Sequence, residues 1–175
     1  MSENANSRAS KSVRLLTLSA MFIAAITLST AYLFHIPISS NGSYIHLGDT
    51  FIYLAACFLP MPYAVIVASV GGGLADFISG ATLWIIPTMI IKPLHAVCFT
   101  TKGKLLCKRN VIALFICGIT SIGGYYIAES ILYGSWILPL ATIWSGFVQS
   151  GGSGLFFVVI ATALDKMGIR DKIKL

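Results

Sequence analysis

Five ionisable side chains stand inside or at the edge of long apolar stretches: Asp49, Asp76, Lys92, His95 and Glu129. A charge at the bilayer centre costs about 2.5–3.5 kcal/mol on insertion scales, so each is by default a candidate for binding or proton transfer. Thr88, Lys92 and His95 follow i, i+4, i+7 spacing, which places them on one helical face. Pro87 and Pro93 bracket the lysine, and each removes an intrahelical hydrogen bond, predicting carbonyls left free for a ligand or water. Tyr125 and Glu129 lie one turn apart with Tyr126 beside them, and Thr142, Ser145 and Gln149 share a face next to Trp144. Aromatic faces to stack on, with a few polar groups to fix orientation, suit a small polar heterocycle. On that basis Lys92, Glu129 and Gln149 are expected to touch a ligand between Tyr125 and Trp144. A ligand carboxylate or ring acceptor would suit Lys92, and exocyclic amines or hydroxyls would suit Glu129 and Gln149. Alternatively, Lys92 and Glu129 neutralise one another as a buried ion pair of little net stabilising value. His95 and Asp76 join the ligand candidates, Asp76 with the alternative of meeting the headgroup region. His46 and Asp49, in Tyr44-Ile45-His46-Leu47-Gly48-Asp49, serve either as ligand contacts or as a loop anchor and a helix N-cap.

Several other chemistries lack their parts. Gly71-Gly72-Gly73 has no following Lys-Ser/Thr, so it is not a phosphate-binding loop. Cys57, Cys98, Cys107 and Cys117 form no C-x-x-C pair and no Cys/His metal spacing, and are expected to be packing residues without a metal or cofactor. Gly151-Gly152-Ser153-Gly154 fits the G-x-S-G pattern around the nucleophile of rhomboid-type intramembrane proteases. No histidine follows Ser153, however, so His95 would have to act as base from an earlier helix. Small-residue packing is the simpler account, and no enzyme activity is expected.

The elements that must position these groups are membrane helices. The chain has 175 residues, 57% hydrophobic and 10% charged, with a mean hydropathy of +0.86, against about 25% charged residues in ordinary soluble domains. Apolar stretches at 15–34, 50–59, 63–78, 83–99, 111–132 and 138–167 are separated by turn signals such as Pro37, Asn41-Gly42, Pro60-Met61-Pro62, Gly80, Gly103 and Gly134. They predict an all-α bundle of six transmembrane helices, a single domain over 13–175, after a polar, disordered cytoplasmic tail at 1–12. The second stretch spans only about 15 Å at 1.5 Å per residue. It must begin earlier, near Leu47, or be shielded from lipid by its neighbours. Arg8, Lys11 and Arg14 precede the first stretch, Lys102, Lys104, Lys108 and Arg109 lie between the fourth and fifth, and Lys166, Arg170, Lys172 and Lys174 follow the sixth. Six spans with both termini in the cytoplasm put all of these on one side, as the positive-inside rule requires. The remaining cation is Lys92. This pattern accounts for the formal charge of +6 without a nucleic-acid partner.

Taken together, the six helices, Ala20-x-x-x-Ala24 on the first, the run Ser43 to Asp49, Gly72-Gly73-Leu74-Ala75-Asp76 and Ile90-Ile91-Lys92 resemble the S components of energy-coupling factor (ECF) vitamin transporters. The resemblance covers about Arg14 to Met167 and is nearest the riboflavin-like or hydroxymethylpyrimidine-type branch. It implies a multi-pass protein of the bacterial plasma membrane that captures a vitamin or precursor from outside. Thiamine precursor, pantothenate, pyridoxine and queuine-like bases are all open as substrates. It also implies partners, a transmembrane coupling subunit and two ATPases, with Ala20 and Ala24 facing the coupling subunit. The alternative from a different class is a self-sufficient secondary transporter using Lys92 and Glu129 as a proton relay, for which no internal repeat is visible.

Overall fold

The computed structural model describes residues 2–33, 36–37 and 44–173. Within them the chain forms α1 (Ser2–Ala31), a two-residue antiparallel ladder of β1 (Ile36–Pro37) and β2 (Tyr44–Ile45), and α2 (Asp49–Phe58). These are followed by α3 (Met61–Ile78), α4 (Ile85–Cys98), α5 (Lys108–Tyr133), α6 (Ile143–Lys166) and a one-turn α7 (Ile169–Lys172). Four helices, α3, α5, α6 and Ala9–Ala31 of α1, are long and apolar enough to cross a membrane, while α2 and the 82–98 segment are shorter apolar helices. The architecture is an all-α membrane bundle. The predicted turn at Asn41-Gly42, the predicted end of the first helix at Phe34, and Ser43 and Lys174 lie outside the described residues.

Where the helix limits differ from the sequence expectation, local chemistry explains them. The first helix continues back to Ser2 through the segment predicted as a tail, since extending an existing helix costs far less than nucleating one. The sixth begins at Ile143 instead of 138, because Leu138–Ala141 forms a separate tight turn around Pro139. Thr142 closes that turn through its backbone amide, which donates to the Pro139 carbonyl at 3.2 Å. Helix α5 ends on Gly134, whose φ of +63° is cheap only for glycine. Two amides, of Gly134 and Ser135, return to the Ser130 carbonyl there.

Helix α2 is the axis of the bundle. It starts at Asp49, and eight of its ten residues are buried, under cover from α1, α3, α4 and α6. Its short reach is therefore tolerated by shielding, the second of the two expected solutions. Tyr53 stacks on Phe99 at 5.1 Å and meets Phe157 edge-on at 5.9 Å, forming the aromatic centre of the core.

Helix α3 is clasped between α1 and α4 through its glycines. A methyl group on Gly71 would sit 3.1 Å from Ile26 of α1, and one on Gly72 would sit 2.7 Å from the Thr88 methyl of α4. Close backbone approach of this kind drives helix association in lipid. Pro93 lacks the N–H that would bond the Met89 carbonyl, and Ser69 of α3 donates its hydroxyl to that oxygen at 3.1 Å. The carbonyl expected to be free for a ligand is thus consumed by helix packing.

The end of the bundle that carries the 99–110 link is pinned by polar side chains. Asn110, wholly buried, accepts from the Thr100 amide at 2.8 Å and donates to the Leu105 carbonyl at 3.1 Å. Asp165 accepts the amides of Leu105 and Leu106 at 2.9 and 3.1 Å, and Arg170 donates to the carbonyls of Cys57 and Gly103. These bonds gather the last turns of α2 and α6 and the start of α5 at one end, so α2 and α6 run parallel to one another and antiparallel to α5.

Candidate functional site

Among the described residues, the opposite end of the bundle is open. There the last turns of α3 and α5, the first turns of α4 and α6, and the turn at Leu138–Ala141 enclose a cleft with about 720 Å³ of empty space including its mouth. Its aromatic walls are Trp84, Tyr125 and Tyr126, and its polar groups include His46, Asp76, Thr88, Glu129, Thr142 and Gln149. Trp84 meets Tyr125 edge-on at 5.9 Å, and its Nε1–H has no acceptor among the described residues. Tyr126 is held by a 2.8 Å bond from its hydroxyl to the Trp136 carbonyl. The Thr142 hydroxyl lies 3.1 and 3.3 Å from the two Glu129 oxygens and can donate its one proton to that carboxylate, holding it at the wall.

Beneath the cleft lies a small second cavity lined by Asp49, Lys92, Ile26 and Gly72, and sharing His46, Asp76, Thr88 and Tyr125 with it. Here the Lys92 ammonium donates to Asp49 Oδ1 at 2.7 Å, with the two side chains 2% and 0% exposed. The ammonium also lies 5.1 Å from the Tyr125 ring centre, in cation–π range. Gln149 donates its amide to the other Asp49 oxygen at 3.4 Å. Because a carboxylate only accepts hydrogen bonds, this contact orients the Gln149 NH₂ toward Asp49. Thr88 and Tyr125 share a 3.0 Å hydroxyl contact. His46 Nδ1 accepts the Gly48 amide at 3.1 Å, so its ring anchors the turn that opens α2. Asp49 is the first residue of α2, where the helix dipole favours a negative charge.

The model of the family described as ECF-type riboflavin transporter, S component, matches residues 10–166. The chain belongs to that family. A comparison with curated proteins finds no match. The family and the apolar helices together make this S component a multi-pass membrane protein of a transport system, a substrate-binding subunit by class.

Of the residues singled out from the sequence of this S component, Glu129, Gln149, Tyr125, Asp76 and His46 line the cleft, and Lys92 and Asp49 form its floor. Three expectations are corrected. Lys92 does not pair with Glu129; its partner is Asp49, from a helix that spacing along the chain did not connect to it. Trp144 is 51% exposed on the outside of α6 and lines neither cavity. His95, on the same helical face as Lys92 but one turn deeper, is wholly buried and packs 6.1 Å from Tyr53, away from both cavities. Ser153 is also wholly buried, and neither its hydroxyl nor either His95 nitrogen has a hydrogen-bond partner among the described residues, so they make no nucleophile–base pair. The Ser153 carbonyl instead accepts the Thr50 hydroxyl at 2.9 Å, joining α6 to α2 as small-residue packing would. Sequence reasoning missed Trp84 and Pro139 as lining residues. Trp84 was legible as an aromatic ahead of the Thr88, Lys92 face, whereas nothing along the chain marks Pro139.

Proposed function

We propose that this chain is the substrate-binding subunit of an ATP-driven importer of the bacterial plasma membrane. The cleft receives a small water-soluble vitamin or precursor from outside. The observation that carries this is the cleft itself, aromatic on its walls and polar at fixed points, at the end of the bundle away from the Lys- and Arg-rich link. In this reading the ligand stacks against Trp84, Tyr125 and Tyr126 and takes hydrogen bonds from or to Glu129, Thr142, Gln149 and Asp76. Lys92 and Asp49 set the floor and hold Gln149 in place. The subunit hydrolyses nothing; a coupling subunit and two ATPases supply the energy, docking along the α1 face that carries Ala20 and Ala24. A proton relay between Lys92 and Glu129 gains no support from a lysine already bound to Asp49.

The test is to plug the cleft. Protein purified in mild detergent is expected to retain a small molecule by native mass spectrometry, and Ser145→Trp, which places an indole inside the cleft, is expected to lose it. Trp144→Leu, one residue away on the outer surface, serves as the control and keeps the molecule. Equal retention by Ser145→Trp would remove the cleft as the substrate site.

A further inference from the structure

The charges around the cleft do not balance. Asp76 and Glu129 line it, Asp49 lies in its floor, and among the described residues that line either cavity Lys92 is the only lysine or arginine. With His46 neutral the described residues of the site carry a formal charge of −2, and with His46 protonated their sum remains negative. The described Lys and Arg residues other than Lys92 lie on α1 before Leu15 or beyond residue 101, at the pinned end of the bundle or on the first turns of α1. A cleft of one sign with low-dielectric walls focuses its field on whatever enters. The hydrogen-bonding groups point the same way. Glu129 and Asp76 line the cleft with carboxylates, which when ionised only accept hydrogen bonds. Three aromatic rings complete a surface that attracts cations through their faces.

We infer that the molecule this cleft selects is a cationic, N–H-rich heterocycle, carrying an ammonium or protonated ring amine directed at Glu129 and Asp76. An anionic vitamin such as pantothenate would place its carboxylate among three others and is excluded. The lysine that a carboxylate ligand would need is already bound to Asp49 at 2.7 Å. This inference rests on the cleft being the substrate site.

The experiment measures binding to the full-length protein in nanodiscs by isothermal titration. The probes are three ring systems, a 4-amino-2-methylpyrimidine, a pyridoxine-type pyridine and a 7-deazaguanine, each bearing aminomethyl, hydroxymethyl or carboxyl at the same position. Riboflavin and pantothenate are measured alongside. In whichever ring series binds, the aminomethyl member should bind at least about tenfold tighter than the hydroxymethyl member, with the carboxyl member weakest. Glu129→Gln should cut that preference by about tenfold, as loss of one close charge pair does. A hydroxymethyl or carboxyl member that equals the amine would overturn the inference while leaving the cleft as the site. So would riboflavin or pantothenate binding tighter than every amine, or a preference that survives both Glu129→Gln and Asp76→Asn. If no probe binds, the charge of the molecule retained by the purified protein and released by Ser145→Trp decides: a cation supports the inference and a neutral or anionic molecule overturns it. If nothing is retained and nothing binds, the cleft is not the substrate site, and the inference falls with it.

Discussion

Lys92 and Asp49 are the two charges most deeply enclosed in the bundle, and their value lies in what happens when one is removed. A buried pair contributes little net stability over an apolar replacement, but breaking it leaves a naked charge at a cost of about 3–5 kcal/mol. Lys92→Met is therefore expected to lower the unfolding temperature in detergent sharply, because Asp49 keeps only the 3.4 Å bond from Gln149. Adding Asp49→Asn to Lys92→Met should recover most of that loss, since the new amide can still bond Gln149 and carries no charge. Adding Glu129→Gln to Lys92→Met should recover nothing, as Glu129 is bonded to Thr142 instead. If the Glu129 combination rescued and the Asp49 combination did not, the pairing described here would be wrong. The choice of partner is the part of the site that spacing along the chain could not supply. Both carboxylates lie on other helices, and only the central position of α2, set by its neighbours, brings Asp49 to the lysine.

At the scale of elements, α1 presents two faces with different tasks. Leu15, Ser19, Ile26 and Thr30 recur at helical spacing and are buried against α3 and α2, while Ala20 and Ala24 are exposed, together with Leu16, Met21 and Leu28. Exposed alanines four residues apart let another helix approach closely, which large side chains there would prevent. Ala20→Trp or Ala24→Trp is accordingly expected to leave the folded subunit and its substrate binding intact. Uptake by cells that supply the coupling subunit and ATPases should fall to background. Loss of binding along with uptake would show that this face serves the fold of the subunit itself. The six apolar stretches were readable from the sequence because a bilayer demands long apolar runs between turn residues. Their limits were less so, since they depend on local bonds such as those that set 138–141 apart from α6.

For the whole molecule, orientation follows from charge. The pinned end carries Lys102, Lys104, Lys108, Arg109, Lys166, Arg170 and Lys172, and the cleft opens at the other. The positive-inside rule then predicts a cytoplasmic pinned end and a cleft mouth that faces outside. Lys104 is exposed and suits a reporter. Lys104→Cys, in a background with Cys98 and Cys107 changed to serine, should resist a membrane-impermeant maleimide on intact cells and react once the membrane is permeabilised. Labelling of intact cells would turn the molecule over and open the cleft to the cytoplasm.

By itself the sequence determined the class of solvent, the number of apolar helices, the charge asymmetry and most of the residues that gather at the cleft. All of these follow from composition and helical periodicity, which act locally along the chain. The tertiary structure alone decided which charges meet, which aromatics face inward and which polar groups are consumed by packing. Those outcomes depend on helix rotation and depth, which close contacts such as Gly72 against Thr88 fix between segments distant in sequence. Rotation is why Trp144 faces out while Gln149, five residues later, faces the cleft. Depth is why His95 shares a face with Lys92 yet lies below the site, buried against Tyr53.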